Sequence, residues 1–293
     1  MAAIAVRPQG AVDRKTHMHI RVIVFGRGRV LTCAMLSLII ALGASVAVVA
    51  PAWAREPTGP FSIFKECPRF TPRVNYCLFG NAVNGEFRFG TQKVVLTHQF
   101  TVQLGLDEDE ETEAESVVGP LNGEVLQRVR QEVPGGLLGS PLYATVELAG
   151  PPRAIGVSRS NLINEEGVAL SLPIRIDLEN PMLGNECFIG SDATPVTVKL
   201  TTGRASPVPP NGPIQGKMGQ FRFEAENSIL DLLGNRLVDN AFPAPQATGC
   251  GGSLMAALVD ARIGLPSPDG HNTAILYLSA RNASTSAVIK SER

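Results

Sequence analysis

Apolar and polar residues alternate along several stretches of the chain, with the period of two that indicates half-buried β-strands. Phe87 and Phe89 share one face of a first predicted strand, and a turn at Gly90–Gln92 follows. The apolar face of the next predicted strand comprises Val94, Leu96, Phe100, Val102 and Leu104, with His98 in the same phase. This pattern predicts a hairpin with one buried face.

Four later stretches continue the alternation, at residues 142–148, 170–178, 196–200 and 272–280. Pro173 lies within the second of these and predicts an edge strand or a bulge, because proline lacks the amide hydrogen that a sheet ladder uses. Glycine and proline are scattered between the strands, as many short strands joined by turns require. We therefore predict a mainly β, antiparallel, β-sandwich-like fold with one or two short helices.

One stretch, Ser253 to Pro266, has helical rather than strand periodicity. Its apolar residues at helical spacing are Leu254, Leu258 and Ala261. Ser253 is the predicted N-cap, and Gly264 with Pro266 ends the helix.

The first 54 residues differ in composition from the rest of the chain. Residues 1–29 contain six basic side chains against one acid, and Val30–Ala50 carries no charge. Ala52 and Ala54 then occupy the small-residue positions of a cleavage site. This order predicts a secretory signal peptide at residues 1–54.

The alternative is an uncleaved anchor, because an apolar run of about 20 residues is long enough to span a bilayer. Membrane attachment would then occur through residues 30–52. Both hypotheses place residues 55–293 outside the cytoplasm, either extracellular or in the cell envelope.

Charge becomes informative once the leader is set aside. Residues 1–54 hold six of the 26 basic residues and one of the 27 acidic residues, so residues 55–293 carry a net charge of −6. An acidic protein of this kind would repel phosphates, which argues against nucleic acid as a partner. A proline-rich connector at residues 204–213 is a candidate internal boundary.

Four cysteines remain after the leader: Cys67, Cys77, Cys187 and Cys250. An even count in an oxidising compartment favours disulfides, and we favour the pairs Cys67–Cys77 and Cys187–Cys250 among the three pairings. Metal or redox use is the weaker alternative, because close cysteine pairs of the kinds found in zinc sites or redox motifs are missing from the sequence.

The candidates for catalysis are few, and each has an ordinary structural explanation. His271 and Asp269 in a Pro-Gly turn could orient a base for Ser267, yet no nucleophile elbow is present. His98 fits a hydrogen-bonded histidine at the edge of the core better than a ligand or base. Asp177 and Glu179 share the polar face of one strand.

Adjacent acids on a turn, such as Glu165 and Glu166, do not supply the cross-cleft pair that a glycosidase needs. The acidic run at residues 107–116 lacks the spacing of a defined calcium loop and is predicted to be an exposed loop. We therefore assign no catalytic, cofactor-binding or metal-ligating residues and no cofactor from the sequence.

Five stretches resemble a group of uncharacterised secreted proteins from actinobacteria: "KECPRFTPRVNYC", "LAGPPRAIG", "ENPMLGNECFIGS", "VDNAFPAPQATGCGG" and "GLPSPDGHNTAIL". The resemblance covers most of residues 62–278 and includes the four cysteines. It implies export and carries no catalytic residue over.

The leading functional hypothesis is a secreted or cell-envelope β-rich protein without catalysis, a binding or structural module. The alternative is an exported hydrolase acting on envelope glycans or esters.

Overall fold

Strands dominate the computed structural model, which describes residues 55–109 and 115–292. In chain order they are β1 Tyr76–Phe89, β2 Gln92–Leu96, β3 Phe100–Glu108, β4 Glu115–Val118, β5 Arg130–Leu137, β6 Ser140–Leu148, β7 Gly156–Val157, β8 Leu170–Glu179, β9 Phe188–Ile189, β10 Val196–Leu200, β11 Arg204–Ala205, β12 Ile214–Gln215, β13 Gln220–Glu224, β14 Ile229–Asp239, β15 Ala247–Thr248 and β16 Thr273–Ser284. The predicted strands after residue 140 correspond to β6, β8, β10 and β16.

Two seven-stranded sheets pack face to face as a sandwich. The first has the order β13-β14-β16-β1-β3-β4, with β2 also paired to β1. The second has the order β15-β9-β8-β6-β5, with β7 and β10 also paired to β8. Strands β11 and β12 form a separate two-stranded sheet. Apolar side chains from both large sheets form the main core, which confirms the predicted fold class.

The single strand predicted over residues 94–104 is two strands, β2 and β3. Both pair with the same edge of β1, but Thr97–Gln99 stands opposite two residues of β1 and pairs with neither. The extra residue turns His98 out to solvent, so its predicted position at the edge of the core is wrong. The apolar residues on either side of this bulge still point between the sheets.

Pro173 lies in the central strand β8, so the prediction of an edge strand or a bulge is wrong. On one side it is opposite Thr197 of β10. On the other side its carbonyl accepts from the Ala149 amide at 2.9 Å, where β6 ends and before β7 begins. The amide hydrogen that proline lacks would therefore point between the end of β6 and the start of β7. Its absence costs no hydrogen bond with either strand.

The helices are α1 Arg159–Asn164, α2 Ser253–Ile263 and α3 Thr285–Lys290, with 3₁₀ turns at Gly59–Phe64 and Pro152–Ala154. The predicted helix is present as α2, and Gly264 ends it in the left-handed conformation. Its N-cap is Gly252 rather than Ser253. The buried face contains Val259 and Ile263, whereas Leu254 is 73% exposed.

Both of the favoured disulfides are present, Cys67–Cys77 and Cys187–Cys250. Cys77 belongs to a second, smaller apolar cluster, while its neighbour Leu78 packs against the main core. Successive residues of a strand point to opposite faces, so this second cluster lies on the outer face of the first sheet. It joins the first disulfide to Phe64, near the start of the described chain, and to Val288 of α3, near its end.

The described residues form one compact unit. Strand β16, which follows the connector at 204–213, pairs along nearly all of β1, which precedes it. No helix within the described ranges is long and apolar enough to cross a bilayer. The predicted signal peptide or anchor lies outside those ranges, and so does most of the acidic run.

Candidate functional site

A narrow apolar opening between the two sheets is the most distinctive cavity of the sandwich, and we call it the inter-sheet slot. It consists of two adjoining narrow cavities of about 40 Å³ each, both open to solvent at the side. The residues that line both cavities include Phe87, Leu96, Gln131 and Val146. The slot therefore runs between β1 and β2 of one sheet and β5 and β6 of the other.

Incomplete contact between the sheets leaves this space open. Val94, Ala144 and Val146 belong to the apolar inner faces, yet each is half-buried. No charged side chain of the described residues lines either cavity. An apolar cleft with a few polar groups is the usual form of a small-molecule site, and this one is narrow and lined without charge.

Gln131 is the polar residue in the middle of the slot. It is 4% exposed and belongs to β5. Its Oε1 accepts hydrogen bonds from the main-chain amide and the hydroxyl of Thr97, both at 3.0 Å. Its Nε2 is buried and has no hydrogen-bond partner among the described residues.

Gln127 repeats this arrangement at the mouth of the slot. Its Oε1 accepts from the main-chain amide and the hydroxyl of Thr101, both at 3.2 Å. Its side chain is exposed and lines the first of the two cavities. Two glutamines four residues apart therefore tie the segment before and into β5 to the bulge between β2 and β3 and to the start of β3.

Gln92 in the second cavity shows the contrasting case of a glutamine with all its groups occupied. Its Nε2 donates to the carbonyl of Lys93 at 3.1 Å, and its Oε1 accepts from Arg262 Nη1 at 2.7 Å. Arg262 of α2 also donates to the carbonyls of Pro134 and Gly136, at 2.6 and 3.1 Å. This network holds α2 against the far end of the slot.

Neither Gln127 nor Gln131 is among the candidates that the sequence pattern singles out. The signal that could have identified Gln131 is its phase: two residues before the buried Val133, it occupies an inward position of a strand. The pattern does not reveal that the partner of Gln131 is a threonine in a bulge 34 residues earlier.

A second, polar groove of about 540 Å³ lies on the outer face of the second sheet and includes Asp177 and Glu179. Arg130 pairs with Glu179 at 3.1 Å and lies 3.6 Å above the ring of Tyr143. Burial raises the pKa of Asp177, and repulsion from Glu147 and Glu179 raises it further. The predicted carboxylate pair is thus part of a charged outer face.

The other predicted polar candidates are dispersed. His271 and Asp269 are exposed, whereas Ser267 is 3% exposed and its Oγ is buried. His98 Nδ1 lies 3.0 Å from the hydroxyl of Thr97. Glu165 accepts from the Met218 amide at 2.6 Å, which gives it a structural role at the end of α1.

The described ends of the acidic run are strand residues rather than loop residues. Asp107 and Glu108 end β3, Glu115 begins β4, and Glu108 lies opposite Glu115. Arg159 forms ion pairs with both glutamates, so the two carboxylates share one cation of the chain itself. The prediction of an exposed loop is wrong for these three residues.

Within residues 55–109 and 115–292, no three His, Cys, Asp or Glu side chains come together as metal ligands would. Two disulfides are typical of a protein from an oxidising, non-cytoplasmic compartment. Comparison of the chain with protein-family models, curated proteins and solved structures finds no match.

Proposed function

We propose that this chain is an exported, non-catalytic binding protein that holds a slender apolar molecule in the inter-sheet slot. The observation that carries the proposal is the slot itself, an uncharged cleft between the sheets at which Val94, Ala144 and Val146 stay half-buried. Export is supported by the leader composition, the two disulfides and the resemblance to secreted actinobacterial proteins.

The binding test uses n-octane and the purified protein, with the bound fraction measured by partitioning from a shared headspace. Val146→Phe places a bulky ring where both cavities meet, and we expect at least a tenfold loss of octane affinity. Val95→Phe is the matched control, because Val95 is 52% exposed and lines neither cavity. Absence of octane binding by the unmodified protein, or equal binding by all three proteins, would contradict the proposal.

Export has its own test, the intact mass of the protein recovered from the culture medium before and after reduction. We expect a chain that begins at Arg55 and gains the mass of about four hydrogens when two disulfides are reduced. A full-length chain found in membranes would instead support the anchor hypothesis.

The alternative of an exported hydrolase for envelope glycans or esters is favoured by one observation, the polar groove. Asp177 has the raised pKa that a general acid uses, and it lies beside a second carboxylate. Turnover of a glycan or ester substrate that is lost in Asp177→Asn would establish this activity. Turnover independent of Asp177 would exclude the groove as its site.

A further inference from the structure

We infer that the ligand of the inter-sheet slot is an uncharged molecule with an apolar chain and a carbonyl group, such as an acyl ester, whose carbonyl oxygen accepts from Gln131 Nε2. This inference rests on the proposed function, because it names the chemical class that the slot would bind. Probes with and without a carbonyl distinguish failure of the inference from failure of the function.

The orientation of the Gln131 amide is decided by its partner. A main-chain amide can only donate, so the atom that faces Thr97 N at 3.0 Å must be the glutamine oxygen. The Thr97 hydroxyl lies at the same distance from that oxygen and holds it further. The nitrogen, a donor of two hydrogens, is therefore the group left for the slot.

A buried amide nitrogen without a partner is unusual, because burial removes its bonds to water. Gln92, in the same slot, satisfies its nitrogen with the Lys93 carbonyl. Gln131 lines both cavities and has no such carbonyl within reach among the described residues. An acceptor on a bound molecule would supply the missing bond.

Gln127 places a second donor nearer to the surface. Its oxygen is held by Thr101 as that of Gln131 is held by Thr97, and its Nε2 makes no hydrogen bond within the part of the chain that the structure describes. Both glutamines line the first cavity. A ligand acceptor that enters past Gln127 would thus meet an oriented donor at the mouth and another at the centre.

The lining also selects against a charged head group. Neither cavity is lined by a cationic side chain of the described residues, and Arg262 at the far end is already bonded to Gln92, Pro134 and Gly136. A buried carboxylate without a counter-charge is costly. The acceptor is therefore a neutral oxygen, and an ester carbonyl is one that an apolar chain can carry.

The experiment compares three probes of similar length: methyl hexanoate, n-octane and the hexanoate anion. We expect the unmodified protein to bind the ester and octane and to bind hexanoate at least tenfold more weakly than the ester. Gln131→Met keeps the length of the side chain but removes the donor. It should lower the ratio of ester affinity to octane affinity about three- to tenfold, the contribution of one hydrogen bond.

Retained octane binding shows that the slot of Gln131→Met is intact. If this variant does not fold, infrared spectroscopy of the unmodified protein tests the same hydrogen bond independently. The measurement uses bound methyl hexanoate that is labelled with ¹³C at the carbonyl. A hydrogen-bonded carbonyl absorbs at lower frequency than the same ester dissolved in octane.

Each outcome supports or contradicts a different claim. Failure of both octane and the ester to bind contradicts the proposed function and the inference together. Binding of both, with an affinity ratio unchanged in Gln131→Met or a carbonyl band at its octane position, overturns the inference and leaves the function standing. Preference for the hexanoate anion would overturn the assignment of a neutral ligand.

Discussion

Gly184 and Gly249 have the same left-handed backbone φ of +71° but different surroundings. A Cβ at Gly184 would meet no atom within 4 Å, whereas a Cβ at Gly249 would lie 1.8 Å from the carbonyl oxygen of Glu186. Gly184→Ala should cost about 1 kcal/mol for the left-handed conformation alone. Gly249→Ala should cost at least about 2 kcal/mol more, because main chain next to the Cys187–Cys250 disulfide has to move.

Urea unfolding of both oxidised variants measures this difference. Because φ is the same, the comparison isolates the steric clash from the backbone preference. Equal destabilisation of the two variants would show that the close approach at Gly249 relaxes freely.

Asp177 provides a pH-dependent prediction at the same scale. Its pKa is raised in the folded state by burial and by the acids around it, so the folded protein holds this proton more tightly than the unfolded chain does. This difference lowers the free energy of unfolding. The loss is absent below the ordinary pKa of an aspartate and develops as the pH rises through the pKa of Asp177 in the folded protein.

Asp177→Asn removes that loss. Because the residue is partly exposed, we expect a gain of only a few tenths of a kcal/mol, about the size of a solvent-screened charge pair. The melting temperature of the variant should exceed that of the unmodified protein at neutral pH, and the difference should vanish at about pH 3, below the ordinary pKa of an aspartate. A difference in melting temperature of the same size at both pH values would show that the raised pKa of Asp177 is not the cause.

At the scale of elements, helix α2 shows how packing decides which face of a helix is buried. Ile263 is buried against the main core, while Leu254, near the start of the helix, is exposed. Ile263→Ala should destabilise the protein by about 2–5 kcal/mol, as core truncations do. Leu254→Ala should change the free energy of unfolding by less than about 0.5 kcal/mol.

Denaturant unfolding of both variants, with circular dichroism as the probe, tests this pair. A larger effect at Leu254 than at Ile263 would show that α2 packs with the face formed by Leu254, Leu258 and Ala261.

At the scale of the whole molecule, the two disulfides constrain the unfolded chain to different extents. Cys187–Cys250 spans 63 residues and Cys67–Cys77 spans 10. The chain-entropy model assigns about 4 kcal/mol to the longer loop and about 2.7 kcal/mol to the shorter one. Replacing both cysteines of the longer loop by alanine should therefore destabilise the protein more than the same change in the shorter loop.

Equilibrium unfolding of the two double variants compares these losses, with each remaining disulfide kept oxidised. The reverse order would mean that packing of Cys67–Cys77 between the ends of the described chain outweighs loop entropy. That cluster includes Phe64 and Val288, so its packing is measurable separately by Val288→Ala.

Local patterns determined the elements and the class of the fold. Strand alternation depends on neighbours along the chain, so β8 and β10 could be predicted closely, and Gly264 marked the end of α2. The even count of cysteines after residue 54 predicted disulfides, because that inference needs only the composition of the chain and the predicted compartment. Export and the non-catalytic role stay predictions at this level.

Tertiary contacts decided the remaining features. Thr97 interrupts the strand predicted over 94–104 because its amide and hydroxyl bind Gln131, a residue distant in sequence. Pro173 is tolerated in a central strand because β6 ends and β7 begins beside it. The inter-sheet slot likewise depends on how closely two sheets approach, and no local pattern encodes that distance. Sequence alone therefore predicted strands and disulfides, whereas the position and chemistry of the slot follow from contacts between distant residues.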